Sequence, residues 1–208
     1  MFSFTKRPEK TIQLANREYR INLAFDVVIS AFGVLDSEEL DDEDKIKQCF
    51  DLFIIDDLGF DSLAVKSDIV SSIFQYVNEQ PYGHTDNDEE TGNEPADNFH
   101  SDFDYEQDAG AIYASFLNFY HIDLNQMIGR MHWDEFKALF DNLGSETPIQ
   151  KIRQYRGDDL TRYKDDAERA QFVSSQQFYY QLDKDNGSDM FSGNASSVFG
   201  MLFEEGKE

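Results

Sequence analysis

The sequence predicts a mainly α-helical fold: a compact helical domain with a small N-terminal β-hairpin and a mobile acidic internal linker. Three observations predict it. Apolar residues recur at helical spacing through most of the 208 residues. One short N-terminal stretch alternates instead, and one long stretch is acidic and punctuated by Gly and Pro. A chain of this length suggests one domain, with or without a small appendage. Aromatics make up 14%, with 19 Phe and 10 Tyr, enough for a core without disulfides or structural metal.

Thr11-Ile12-Gln13-Leu14 and Tyr19-Arg20-Ile21-Asn22-Leu23 alternate apolar and polar around Ala15-Asn16-Arg17-Glu18, a hairpin with a polar four-residue turn. A lone hairpin is marginal in water, so it must pack on something. Phe25, Val28, Phe32 and Leu35 mark a helix that is apolar nearly all round, hence central. Ile46, Cys49, Phe50, Phe53 and Ile54 form the next stripe, opened by Asp41 to Asp44, where the helix dipole favours acids. Ile69, Val70, Ile73, Phe74 and Val77 form a third, which stops before Pro81. Residues 81–103 read as a flexible acidic linker.

Order resumes at Asp104, a candidate N-cap with Gln107 at the capping-box position. Tyr105, Ala109, Ile112, Tyr113, Phe116, Phe119 and Tyr120 then line one face. Ile122 to Met131 looks like a loop. Trp133, Phe136, Phe140 and Leu143 form a stripe ended by Gly144. Thr147-Pro148-Ile149-Gln150 starts a helix with Thr as cap and Pro at the first position. A last helix spans about Asp165 to Leu182, which makes six or so in all. The expected organisation is therefore 1–80 hairpin plus helices, 81–103 linker, 104–182 helical core segment, and 183–208 a flexible acidic tail with an apolar end. The two helical parts are expected to pack as one domain, with Phe32, Phe50, Ile73, Ile112, Phe116, Trp133, Phe136 and Phe140 buried.

Eighteen basic against 42 acidic residues give a formal charge of −24. Phosphate contacts need Lys and Arg, so this balance argues against nucleic-acid binding and against an anionic membrane surface. No stretch approaches a membrane span, and Met1 to Pro8 has no apolar region of the signal-peptide kind. A lone cysteine, Cys49, excludes an internal disulfide and a Cys-rich zinc site, and its place on an apolar stripe reads as a buried structural thiol. Asp183 to Asp189 resembles the start of a calcium loop, but its glycine comes one position early and position twelve is Asn194. His84, His100, His121 and His132 sit in no recognisable catalytic or metal-ligating setting. No enzyme, cofactor or metal is expected. Lys151, Arg153, Arg156 and Arg162 form the one basic cluster, either paired with nearby acids or facing an anion or partner. Val198, Phe199, Met201, Leu202 and Phe203 are either a tethered docking peptide or a loose end.

Phe103 to Phe116, Tyr120-His121-Ile122-Asp123-Leu124, Met131-His132-Trp133-Asp134-Glu135-Phe136, Leu143-Gly144-Ser145-Glu146-Thr147-Pro148 and Ile152-Arg153 occur in an order and spacing that resembles the bacteriophage gene-product-fifteen family. The resemblance is good over about 100 to 182 and looser over the hairpin and first helices. His121 stands where that family often has glycine, and the extension from Asp183 has no counterpart. The resemblance implies a non-enzymatic tail assembly chaperone of long-tailed phages and prophages. Such a protein binds the tape measure protein in the cytoplasm of the infected host and is absent from the mature virion. It implies a frameshift-related chaperone partner or self-association as further contacts, and Val198, Phe199, Met201, Leu202, Phe203, Arg153 and Arg156 are the candidate partner-binding residues. Two alternatives stay open. One is an acidic DNA mimic that blocks a basic partner, motivated by the stretch from 67 to 129 without Lys or Arg. The other is a structural component of the tail.

Overall fold

A computed structural model describes residues 4–5, 8, 10–14, 17–56, 62–79 and 102–183. The protein is mainly α-helical with one small antiparallel hairpin, as the periodicities predict. The expected linker, except its last two residues, and the tail from Lys184 lie outside the described residues. The described chain forms two compact units: one from residues up to 79 together with 128–138, the other from 102–127 and 139–183.

The first unit opens with β1 (Thr11–Leu14) and β2 (Arg17–Arg20), in register from Thr11↔Arg20 to Leu14↔Arg17. The turn is thus two residues, not four, because Arg17 and Glu18 still pair across the ladder. Past β2, Ile21 bridges to Ile54, and the Arg20 guanidinium holds Asp56 at 2.5 Å. Three helices follow: α1 (Phe25–Asp36), α2 (Asp42–Phe53) and α3 (Leu63–Val77). Each buries its predicted stripe, except that Ile54 lies past the end of α2 and is only half-buried. Asp41 caps α2 by accepting from the Asp44 amide at 2.8 Å.

Residues 128–138 complete this unit. The Gly129 amide donates to Asp26 Oδ1 at 2.8 Å, with Gly129 at φ 68°, a backbone state glycine adopts without steric cost. The Phe25 amide donates to the Met131 carbonyl, and the Trp133 amide to the Leu23 carbonyl. These bonds deliver the first turns of α6 (Trp133–Asp141) into an aromatic core. Phe136 stacks on Phe25 with ring centroids 4.9 Å apart, and Trp133 meets Phe32 edge-on at 5.6 Å. Phe74 joins Phe32 to Phe53. The Trp133 indole N–H donates to the Val77 carbonyl at 2.9 Å, satisfying one of the carbonyls that the end of α3 leaves unpaired. Asp134, also buried, accepts from the Tyr76 hydroxyl at 2.6 Å.

The second unit holds α4 (Ala109–Tyr120), α5 (Leu124–Met127), the end of α6, α7 (Pro148–Arg156), a 3-10 turn (Leu160–Tyr163) and α8 (Ala167–Tyr179). The described residues therefore form eight α-helices rather than six or so. The surplus includes the one-turn α5, which interrupts the expected loop at Ile122 to Met131. Asp104 accepts from the Glu106 and Gln107 amides, but it closes a separate turn; α4 begins only at Ala109. The predicted α4 face is partly misassigned. Ile112 and Phe116 are buried, whereas Ala109 and Phe119 are exposed. Thr147 and Pro148 do open α7, but the Thr147 hydroxyl donates back to the Gly144 carbonyl. The buried Ser115 hydroxyl caps α7 instead, accepting from the Ile149 amide at 3.1 Å while it donates to the Ala111 carbonyl. All eight residues expected to be buried are so.

Candidate functional site

Two arginines one helical turn apart on α7 organise the second unit. Arg156 forks onto Asp108, with Nη1 to Oδ2 at 2.5 Å and Nη2 to Oδ1 at 2.9 Å, and both side chains are more than nine-tenths buried. The same guanidinium donates to the Tyr180 carbonyl through Nε and to the Asp102 carbonyl through Nη1. A planar fork with five donors suits this task; a lysine would not reach all three groups. Arg153 donates to Asp102 Oδ2 at 2.8 Å and lies over the rings of Phe103 and Phe140. Lys151 pairs with Glu146 at 2.9 Å in solvent, which raises the lysine above its ordinary pKa through that hydrogen bond. The basic cluster is thus spent largely on intramolecular pairs. Arg153 and Arg156, candidates for a partner, bind the turn before α4 and the chain after α8.

The structure leaves a different surface in view. On α8, Asp166 caps the start through the Arg169 amide, and Val173 alone is fully buried. Phe172 is 44% exposed, and Phe178 and Tyr179 are each 76% exposed. Tyr155 reaches Phe172 edge-on and lies parallel to Tyr180, which extends the aromatic surface onto α7. Gln107 fixes the chain beyond α8, donating to the Gln181 carbonyl and accepting from the Asp183 amide. No charged residue falls between Ala170 and Leu182. This face carried no signal in the sequence reading, because a helix read for its core stripe says nothing of what lies on the other side. Absence of charge over 13 residues in so acidic a chain is the clue that could have found it.

A groove of about 520 Å³ in the first unit is lined by β1, Glu18, Ile21, Leu23 and α3 residues Ser72, Ile73 and Tyr76. Among its polar groups, Glu18 accepts from Thr11, Ser72 donates to the Asp68 carbonyl, and Tyr76 donates to Asp134. Cys49 is buried, and burial pushes its thiol up to about 12. His132 Nδ1 accepts from the Asp134 amide, and His121 ends α4 at φ 58°. His84 and His100, the calcium-like loop beyond Asp183, and Val198, Phe199, Met201, Leu202 and Phe203 lie outside the described residues. Among the described residues no group of three or more His, Cys, Asp or Glu could hold a metal ion, and no helix is long and apolar enough to cross a membrane.

The family described as Bacteriophage Gp15 protein matches residues 8–182. That span is most of the chain, and the chain belongs to this family: it is a bacteriophage protein. No curated protein and no solved structure matches it.

Proposed function

We propose that this phage protein is a non-enzymatic tail assembly chaperone. In this reading it binds the tape measure protein in the host cytoplasm, keeps it soluble until the tail tube polymerises, and is left out of the mature virion of a long-tailed phage or prophage. The observation that carries the reading is the pairing of an exposed aromatic face on α8 with a chain charge of −24. A chaperone needs both: apolar contacts that exchange, and self-repulsion that keeps the loaded complex dispersed. An amphipathic client helix laid against such a face buries its apolar side. Because Arg153 and Arg156 are engaged inside the protein, the contact falls to apolar side chains: Phe172, Phe178 and Tyr179, with the apolar end of the tail as a second element.

Co-expression with the tape measure protein of the same genome, followed by pull-down, tests this. The expected result is a soluble, co-purifying client. An insoluble client beside folded, abundant chaperone would end the reading. Finding the chain in purified virions would point to a structural tail component instead.

A further inference from the structure

The two edges of the N-terminal hairpin end differently. The Ile21 amide donates to the Lys10 carbonyl at 2.8 Å, so in this register Ile12↔Tyr19 and Leu14↔Arg17 are the hydrogen-bonded pairs. Thr11, Gln13, Glu18 and Arg20 therefore aim their amides and carbonyls outward. On the β2 side, Asp56 accepts from the Arg20 amide at 2.7 Å, and the Ile55 amide donates to the Arg20 carbonyl. On the β1 side, the amides and carbonyls of Thr11 and Gln13 have no partner among the described residues. Thr11-Ile12-Gln13-Leu14 also holds neither charge nor Pro, which commonly blunt a strand edge. The groove of about 520 Å³ runs along this open edge. Thr11 and Gln13 line it from one face of β1 and Ile12 from the other, with Ser72 and Tyr76 of α3 opposite. Buried Ile21, Leu23 and Ile73 give it an apolar floor.

We propose that the β1 edge docks an extended segment of another protein, with apolar residues at alternate positions and Lys or Arg between them. Unpaired peptide groups along a strand are matched by another peptide, added here as a third strand. Successive side chains of that strand point to opposite faces. One set falls on the Ile12 side, over the floor of Ile21, Leu23 and Ile73. The other falls beside Thr11, Gln13 and Glu18. Among the described residues lining the groove, Glu18 alone is charged, and α3 has no Lys or Arg after Lys66. The second set is therefore basic, drawn by Glu18 and by a chain charge of −24. A second copy would bring the same −24, which opposes self-pairing at this edge. The site belongs to the first unit and does not rest on the chaperone reading, which uses α8.

Titration of the full-length chain with a capped eight-residue peptide of alternating valine and lysine tests this, read by amide chemical shifts and by sedimentation. The expected result is saturable shifts at Thr11, Gln13 and Ile73, with a valine–glutamate peptide binding at least tenfold more weakly. Gln13→Pro removes an outward donor and no ladder bond, and should weaken binding about tenfold. Ser72→Trp, which fills the groove from an exposed position on α3, should weaken it as well and serves where Gln13→Pro does not fold. Unchanged affinity in either folded variant overturns the proposal, as does equal binding of the two peptides. Shifts scattered over the acidic surface without saturation overturn it too. A dimer that forms without peptide and dissolves in the variants also overturns it, because a second copy then takes the edge.

Discussion

The two units are held by different means. Of the buried apolar side chains among the described residues, 21 lie in the first unit and seven in the second. Six aromatic rings, from Phe25, Phe32, Phe53, Phe74, Trp133 and Phe136, pack at the centre of the first. The second unit, with a thinner core, relies on directed bonds: Arg156 to Asp108, Tyr180 and Asp102, Ser115 to α7, and the Tyr120 hydroxyl to the carbonyls of Leu139 and Asn142. Apolar packing tolerates exchange of one ring for another of similar volume. A network of buried polar groups does not, because each lost partner strands another group.

Four substitutions or conditions probe that contrast. Trp133→Ala removes a 3%-exposed ring and strips the Val77 carbonyl of its donor, and should cost about 3–5 kcal/mol in equilibrium denaturation. A loss under about 1 kcal/mol would place Trp133 outside the load of the core. Arg156→Ala should cost a similar or slightly smaller amount, about 3–5 kcal/mol, by leaving Asp108 buried without its cation. Here the comparison sharpens. Adding Asp108→Leu should recover much of the Arg156→Ala loss, whereas no second change at a ring neighbour should rescue Trp133→Ala. Failure of the double variant to recover would mean that the bonds to Tyr180 and Asp102, rather than the ion pair, hold the unit.

The third effect is a pH dependence confined to the first unit. The Cys49 thiol, ordinarily near 9.0, is pushed up to about 12 by burial. The fold therefore keeps a proton that the unfolded chain gives up. Its contribution is full below pH 9.0 and is lost as the pH rises toward 12. Wild type should lose more stability than Cys49→Ala over that window, and the folded thiol should resist alkylation at neutral pH. Equal slopes would remove Cys49 from the pH response. The smallest effect belongs to the second unit. His121 holds φ 58° at the end of α4, a state that costs a residue with a Cβ, so His121→Gly should raise stability by about 0.5–1 kcal/mol. A melting point unchanged or lowered would show that the imidazole contributes more than the backbone strain removes.

Most of the fold was legible because stripes at helical spacing report directly on a buried face. Ile46, Cys49, Phe50 and Phe53 of α2, and Ile69, Val70, Ile73, Phe74 and Val77 of α3, are buried as the spacing requires. Spacing fails where burial is shared with something distant. Phe119 sits in the α4 pattern yet is 48% exposed, covering Gly144 instead of entering the core. The return of 128–138 to the first unit has no periodic signal, because it is made by single bonds such as Gly129 to Asp26 and Trp133 to Leu23. The candidate site was less legible still. Reading charges as a cluster suggested Arg153 and Arg156 for a partner, but their acceptors lie 24 to 54 residues away in sequence, beyond local inspection.

That return has a consequence on the ribosome. Helices α1 to α3 are complete once Val77 has been made, but Trp133 and Phe136 are not yet there to close the rings of Phe25, Phe32 and Phe74. At ordinary elongation rates the roughly 60 residues up to Ala138 take about 3–12 s to add. For those seconds the nascent chain displays its most aromatic surface unfinished. Residues 78–129, made within that interval, contain no Lys or Arg, so the chain gains only negative charge while that surface waits.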